Sequence, residues 1–256
     1  MIHSRRTFLK IVGLSLAGVS IQPGVEALGG SDSPKISRRP ERLGGKRWAM
    51  AVNPKKCPSG CHDCIEACHR VHNVPDFKNP KDEIKWIWNE PFGNVFPELE
   101  HDYLAAGWKG RAVPVLCNHC ANPPCVRVCP TKATFQRKED GIVMMDYHRC
   151  IGCRFCIAGC PYGARSMNYR DPRPFIKEIN PEFPTRTKGV VEKCNFCEER
   201  LAKGLRPACV QACKEKALVF GDLEDPQAEI RKTLRAHFTI RRKPGLGTRP
   251  QIYYIV

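Results

Sequence analysis

Short apolar runs separated by charged and turn-rich segments make up most of the chain. Four of these runs have the length and apolar content of β-strands, namely residues 48–52, 112–116, 141–145 and 217–220. Short helices are predicted within the later parts of the cysteine groups described below. After the N-terminal region no run approaches 18 consecutive apolar residues, so the pattern predicts no membrane-spanning helix there.

A final helix is predicted near the C-terminus. Asp225 and Pro226 have the chemistry of an N-cap and a first helical residue. Ile230, Leu234 and Phe238 follow at the spacing of one helix face, which predicts ordinary core packing.

The segment from residue 69 to residue 111 is a long insertion that is rich in large aromatic residues. We expect these side chains to lie in the core, because large aromatic side chains dominate protein cores. They are Trp86, Trp88, Phe92, Phe96 and Trp108.

The N-terminus has the pattern of an export signal. Residues 4–10 read Ser-Arg-Arg-Thr-Phe-Leu-Lys, a twin-arginine pattern, and small residues flank a cleavage point after Ala27. The apolar run of residues 11–21 is too short for a spanning helix, which needs about 20 residues. We predict a Tat signal peptide over residues 1–27, a linker over residues 28–46, and a protein exported in the folded state to the periplasm or the outer face of the membrane.

Sixteen cysteines among 256 residues change this picture most. They form four groups of four, and the third group is the bacterial ferredoxin run C-x2-C-x2-C-x3-C-P, which predicts [4Fe-4S] clusters. In that run the fourth cysteine ligates the other cluster of a pair. The groups are Cys57, Cys61, Cys64, Cys68; Cys117, Cys120, Cys125, Cys129; Cys150, Cys153, Cys156, Cys160; and Cys194, Cys197, Cys209, Cys213.

The residue after each fourth cysteine suggests how the groups pair. Pro130 and Pro161 follow groups two and three, whereas His69 and Lys214 follow groups one and four. We therefore pair two with three and one with four, which predicts up to four cluster sites. Their ligands are Cys57, Cys61, Cys64 and Cys213 (site 1); Cys117, Cys120, Cys125 and Cys160 (site 2); Cys129, Cys150, Cys153 and Cys156 (site 3); and Cys68, Cys194, Cys197 and Cys209 (site 4).

The groups also form an internal repeat, in which group one resembles group three and group two resembles group four. The predicted fold class is α+β, with tandem bacterial 2[4Fe-4S] ferredoxin-like modules, a long insertion and a C-terminal extension. The predicted divisions are residues 47–68 with 194–225 (outer module), 69–111 (insertion), 112–170 (inner module), 171–193 (connector) and 226–256 (C-terminal helix and tail).

Cysteine-rich chains can also hold disulfides, structural zinc or a radical S-adenosylmethionine cluster. Disulfides suit an exported chain but do not account for the repeated spacing. Structural zinc needs two C-x2-C pairs for each ion and has no use for the trailing proline. Cys57-x3-Cys61-x2-Cys64 has the spacing of the radical S-adenosylmethionine signature, but the chain has no room for a barrel. An extra residue accommodated by Gly60 explains the spacing better, although site 1 remains the least standard of the four.

The net charge of +16 would ordinarily suggest nucleic-acid binding. Export argues against nucleic acid, and four clusters with their thiolates would reduce the charge to about +8. The remaining charge suits an acidic partner, anionic lipid or plain solvated surface equally. No catalytic constellation and no small-molecule substrate site is evident. Histidines near the cysteines are expected around the sites or on the surface, not as ligands; they are His62, His69, His72, His119 and His148.

Four ferredoxin groups behind a Tat signal resemble the electron-transfer subunits of tetrathionate, polysulfide and formate-linked nitrite reductase complexes. Residues 171–176, 184–194 and 251–256 further resemble the DsrO family of the Dsr transmembrane redox complex. The resemblance implies a non-catalytic subunit that passes electrons in dissimilatory sulfur metabolism, beside an NrfD-like quinone-interacting membrane subunit and a multihaem cytochrome c.

Overall fold

The computed structural model describes residues 47–256. The predicted signal peptide and linker lie outside the described residues. Ten strands are found in this part of the chain: β1 (Trp48–Val52), β2 (Ile87–Pro91), β3 (Ala112–Leu116), β4 (Thr134–Gln136), β5 (Val143–Met145), β6 (Ser166–Met167), β7 (Val191–Glu192), β8 (Leu218–Asp222), β9 (Thr239–Ile240) and β10 (Ile252–Ile255). Its α-helices are α1 (Asp63–Val71), α2 (Phe92–Val95), α3 (Pro124–Arg127), α4 (Phe155–Ala158), α5 (Glu198–Leu201), α6 (Ala208–Ala212) and α7 (Glu229–Ala236). This mixture of short helices and strands is the predicted α+β class.

The largest sheet has four strands in the order β8-β1-β10-β9. Strand β1 is central, antiparallel to β8 and parallel to β10. Its side chains alternate between two buried faces: Met50 and Val52 join the main core, whereas Ala49 and Ala51 pack against Ile230 of α7. The sheet therefore joins the first described strand to the end of the chain.

Three antiparallel two-stranded sheets complete the strand pairing within residues 47–256: β2 with β3, β4 with β5, and β6 with β7. Strand β2 belongs to the insertion, and its pairing with β3 ties the insertion to the segment that leads into Cys117. The predicted strand at residues 141–145 is shorter than expected and begins at Val143, because Gly141 has a left-handed φ of 74°.

The aromatic residues of the insertion lie in the core, as predicted. Trp86, Trp88, Phe92 and Phe96 are buried, and Trp108 is half-buried against the same cluster. Strong burial of these rings makes the insertion part of the main packing unit.

The prediction for the C-terminal helix was partly wrong. The Asp225 side chain accepts a hydrogen bond from the Gln227 N–H at 2.9 Å and stabilises a turn, so α7 begins only at Glu229. Ile230 is fully buried, as expected. Phe238 lies beyond the end of the helix and is 76% exposed, because the helix stops at Ala236 before the predicted face is complete.

No helix among residues 47–256 is long and apolar enough to cross a membrane. The longest, α1, has nine residues.

Candidate metal centres

All sixteen cysteines are free thiols in the structure. They lie in four quartets, and each quartet joins cysteines that are distant in the sequence. The quartets contain the same residues as sites 1 to 4 defined above, and those names are kept for them.

Site 1 is a cavity of about 120 Å³ whose lining includes Cys57, Cys61, Cys64 and Cys213. Burial raises the pKa of Cys57 to about 11 and the pKa of Cys64 to about 12, and the other thiols of the site add to both shifts. Gly60 supplies a left-handed turn, with a φ of 73°, inside the longer first spacing. Cys213 stands beside the other three thiols, so the site offers four sulfur donors and not the three of a radical S-adenosylmethionine centre.

Site 4 is the most enclosed quartet, because all four of its cysteines are buried. Cys68 comes from helix α1 and meets three cysteines from the C-terminal half of the chain. Burial raises the pKa of Cys68 well above its ordinary value, and Cys197, Cys194 and Cys209 raise it further in that order.

Site 2 joins three cysteines of group two to Cys160 from group three. Burial raises the pKa of Cys120 to about 12, with Cys117, Cys125 and Cys160 among the neighbouring thiols that contribute. Cys117, Cys120 and Cys125 are buried, and Cys160 is half-buried.

Site 3 is a smaller cavity whose lining includes Cys129, Cys150, Cys153 and Cys156. Only Cys156 of the four is buried. Burial would raise the pKa of Cys129, but hydrogen bonds from neighbouring backbone N–H groups and the Thr131 hydroxyl outweigh it and lower this pKa.

The four sites follow one another in the order 3, 2, 4, 1. Cys125 of site 2 helps to raise the pKa of Cys156 of site 3. Cys117 of site 2 is, after burial, the largest contributor to the raised pKa of Cys194 of site 4. Cys64 of site 1 in turn contributes to the raised pKa values of Cys68 and Cys209 of site 4. Each site therefore has an adjacent site on one or both sides, and sites 3 and 1 lie at the ends.

Backbone N–H groups point at several of the sulfur atoms. Lys216 takes a left-handed φ of 50°, and the following residue, Ala217, donates its N–H to Cys213 Sγ at 3.2 Å. Lys132 takes the equivalent conformation, with a φ of 54°, before Ala133, whose N–H serves Cys129. Because the turn recurs at the same place in both halves, the duplicated sequence encodes duplicated N–H donors to the sulfurs.

Polar groups around the thiols fit anionic iron-sulfur clusters. Arg165 is 4% exposed and donates to Cys125 Sγ at 3.1 Å, and the Asn118 side-chain amide, next to Cys117, is buried without a hydrogen-bond partner among residues 47–256. Burying a charge is costly unless an opposite charge compensates it. Four thiols for each site are also the donor set of a [4Fe-4S] cluster.

Two of the histidines have defined positions around the sites. His72 Nε2 lies 2.9 Å from Glu199 Oε1, and His72 Nδ1 lies 3.6 Å from Cys68 Sγ. His119 is buried and accepts a hydrogen bond from the Val143 N–H at 3.1 Å. Both positions agree with the expected place around the sites.

Sequence reasoning missed Arg165, Lys193 and Glu199. Comparison of the two repeats could have revealed Arg165 and Lys193, because each replaces an uncharged residue at the equivalent position. Arg165 lies five residues after Cys160, whereas Asn73 lies five residues after Cys68. Lys193 likewise stands directly before Cys194, where the other half has Leu116 before Cys117.

Comparison with known proteins matches the 4Fe-4S dicluster domain to residues 109–173 and 180–223. Hdr-like menaquinol oxidoreductase iron-sulfur subunit 1 of Archaeoglobus fulgidus is 40% identical over 274 positions, covering 98% of this chain and 97% of that protein. A tetrathionate reductase subunit of Salmonella typhimurium is 36% identical, with 100% and 89% covered. Protein NrfC of Escherichia coli is also 36% identical, with 100% and 96% covered.

These similarities extend over essentially the whole length of each protein, and the domain match spans three of the four cysteine groups. The chain therefore belongs to the family of 4Fe-4S iron-sulfur subunits that includes these relatives, and it is an electron-transfer subunit of an oxidoreductase complex and not a catalytic subunit.

Proposed function

We propose that this chain relays electrons through four [4Fe-4S] clusters, held at sites 3, 2, 4 and 1 in that order. A [4Fe-4S] cluster supplies one-electron redox chemistry when bound. The observation that carries the proposal is the burial pattern along the line of sites. The inner sites 2 and 4 are formed almost wholly from buried cysteines, whereas all four cysteines of site 1 and three of site 3 are partly exposed.

This pattern suits transfer between two partners. The protein around sites 2 and 4 excludes water, and the partly exposed cysteines at sites 1 and 3 allow a partner to approach each end. Near site 3, Ile151 is 67% exposed and Phe155 is 57% exposed, so that end carries apolar surface beside its cysteines.

We further propose that the chain works beside an NrfD-like quinone-interacting membrane subunit and near a multihaem cytochrome c, in dissimilatory sulfur metabolism, as a DsrO-type subunit. The menaquinol oxidoreductase name of the Archaeoglobus relative supports a quinol partner. The alternative is a tetrathionate, polysulfide or nitrite reductase complex, and the name of the Salmonella relative favours the tetrathionate member of this group.

Purification of the tagged full-length chain from native membranes in mild detergent tests the choice of partners. We expect an NrfD-like subunit and a multihaem cytochrome c to co-purify, and a menaquinol analogue to reduce the iron-sulfur centres of the complex. Recovery of a catalytic subunit that reduces tetrathionate, polysulfide or nitrite would support the alternative. A chain recovered alone, with centres that quinol does not reduce, would contradict both.

The twin-arginine pattern supports export to the outer face of the membrane. We expect the chain in intact spheroplasts to be accessible to added protease, and replacement of Arg5 and Arg6 by lysine to retain it inside. Protection of the native chain from protease would contradict this location.

A further inference from the structure

Two buried cations face site 2. Arg165 Nη2 donates to Cys125 Sγ at 3.1 Å and to Thr134 Oγ1 at 2.7 Å. Lys193 is 1% exposed and donates to the carbonyl oxygens of Val143 and Cys194. Within residues 47–256 no carboxylate oxygen lies within 4 Å of either cation. The charge of Arg165 is therefore directed at the Cys125 sulfur, and the charge of Lys193 is held by carbonyl oxygens close to Cys117 and Cys194.

Arg165 lies where sites 2 and 3 meet. Burial would lower its pKa, but Cys125, Cys156 and Cys117 outweigh burial and raise it. A guanidinium keeps its charge at any working pH, so the field at Cys125 is permanent. Lys193 lies between sites 2 and 4. Burial lowers its pKa, whereas Cys117 of site 2 and Cys194 of site 4, in that order, oppose this shift.

Site 4 is flanked by a carboxylate that is paired with a histidine. Glu199 accepts hydrogen bonds from His72 Nε2 and Asn195 Nδ2, each at 2.9 Å. Burial raises the pKa of Glu199, but the hydrogen bond and charge of His72 outweigh burial and lower it. After burial, Glu199 is the largest contributor to the raised pKa of Cys197. The carboxylate beside site 4 is thus paired with His72, whereas Arg165 stands beside site 2 with no carboxylate partner in the described part of the chain, and Lys193 lies between the two sites.

The repeat shows that this asymmetry is not part of the shared ferredoxin scaffold. The equivalents of Arg165 and Lys193 in the other half are Asn73 and Leu116, and neither carries a charge. Asn73 donates to the carbonyl oxygens of Asn180 and Phe183 and holds the backbone. The two halves therefore bind equivalent sulfur quartets but place different charges beside them.

We propose that Arg165 and Lys193 are positioning residues that give site 2 the most positive reduction potential of the four sites, and that Glu199 makes site 4 more negative. Net charge and hydrogen bonds to the sulfur atoms are what set such potentials. An electron entering the relay from either end then resides preferentially at site 2, and its transfer out of site 2, to site 3 or to site 4, is uphill. This inference rests on the proposed binding of clusters at these sites.

The test is an anaerobic redox titration followed by EPR on the isolated full-length chain. In Arg165→Met and in Lys193→Met we expect the most positive midpoint potential to fall by about 59 mV or more. This shift corresponds to a tenfold decrease in the equilibrium constant for one-electron reduction. Arg165→Lys keeps the charge and should shift less than Arg165→Met. Glu199→Gln should move a different and more negative midpoint upward. Lys203→Met, which removes an exposed cation, serves as the matched control and should change none of them.

Iron content is measured on every sample, so that potentials are compared only between fully loaded proteins. If Arg165→Met fails to load, Lys193→Met decides. An unchanged highest potential in the loaded methionine variants, or equal shifts of all four potentials, would overturn the inference. The titration uses no partner protein, so failure of the proposed partners would leave its result unaffected, whereas a chain without iron would refute the proposed function itself.

Discussion

The rings of His119 and Phe196 stack with their centroids 3.7 Å apart and their planes 17° from parallel. Both residues have left-handed backbones, with φ of 39° and 58°, and each stands between an asparagine and a cysteine at the same position of its repeat. The stack therefore joins the two halves of the duplicated chain beside sites 2 and 4. It is one of the packing contacts between the two inner sites.

Removal of this contact should destabilise the protein. Phe196 is 1% exposed, and we expect Phe196→Ala to cost about 3–5 kcal/mol, as for other buried phenylalanines. This corresponds to a fall in Tm on the order of 10 °C for a chain of this size. Phe238→Ala is the matched control, because Phe238 is 76% exposed and should cost about 0.5 kcal/mol or less. Anaerobic thermal unfolding measures both, and equal changes in Tm would contradict the role of the stack.

Replacement of Cys160 by serine tests the exchange of the fourth ligand between groups two and three. Cys160 lies beside Cys117 and Cys125, so we expect Cys160→Ser to impair the cluster at site 2 and to leave site 3 largely intact. Cys150→Ser is the matched change at site 3. EPR and iron content distinguish the two variants. Loss of the same signal in both variants would show that Cys160 serves its own group.

Gly152 is required by the turn between Cys150 and Cys153. Its φ is 67°, and a Cβ there would lie 2.4 Å from the Gly189 carbonyl oxygen. Gly163 has a similar φ of 65° with open space around it, so Gly163→Ala adds only backbone strain, about 1–2 kcal/mol. We expect Gly152→Ala to lower Tm clearly more than Gly163→Ala and to reduce iron retention at site 3. Equal behaviour of the two alanine variants would mean that the close approach does not matter.

A buried ion pair within the connector is hydrogen-bonded to the insertion. Glu192 lies 2.6 Å from Arg186, both side chains are fully buried, and Trp86 Nε1 donates to the same carboxylate at 2.9 Å. Glu192→Gln leaves the guanidinium charge buried without its partner, which costs about 3–5 kcal/mol. Glu182→Gln is the matched control in the exposed pair with Lys203, where we expect about 0–1 kcal/mol. Thermal unfolding at full iron loading compares them, and a small effect of Glu192→Gln would contradict the role of the pair.

Cysteine spacing predicts most of what is local at the sites, because the short C-x2-C turns and the helices after them depend on residues close in sequence. The repeated Lys-Ala pair at 132–133 and 216–217 likewise marks a repeated left-handed turn. The helix start at Asp225 could not be predicted in this way, since the same side chain can cap either a turn or a helix. Here it caps the turn.

The positions of the charged side chains around the sites depend on long-range packing, so they are harder to predict from the sequence. Lys193 reaches the Val143 carbonyl, and Arg165 reaches Cys125 across 40 positions. Both are ordinary basic residues in a chain with 42 of them. Only comparison of the two repeats, in which Asn73 and Leu116 replace them, distinguishes these two from the basic residues of the surface.

Quantification of iron, acid-labile sulfide and EPR spins in the anaerobically purified, fully reduced chain tests the four-cluster relay most directly. We predict about sixteen irons, about sixteen sulfides and about four electron spins per chain, as four [4Fe-4S] clusters require. About twelve irons with three spins would remove one site from the relay. Stoichiometric zinc without visible charge-transfer absorption would contradict the iron-sulfur relay as a whole.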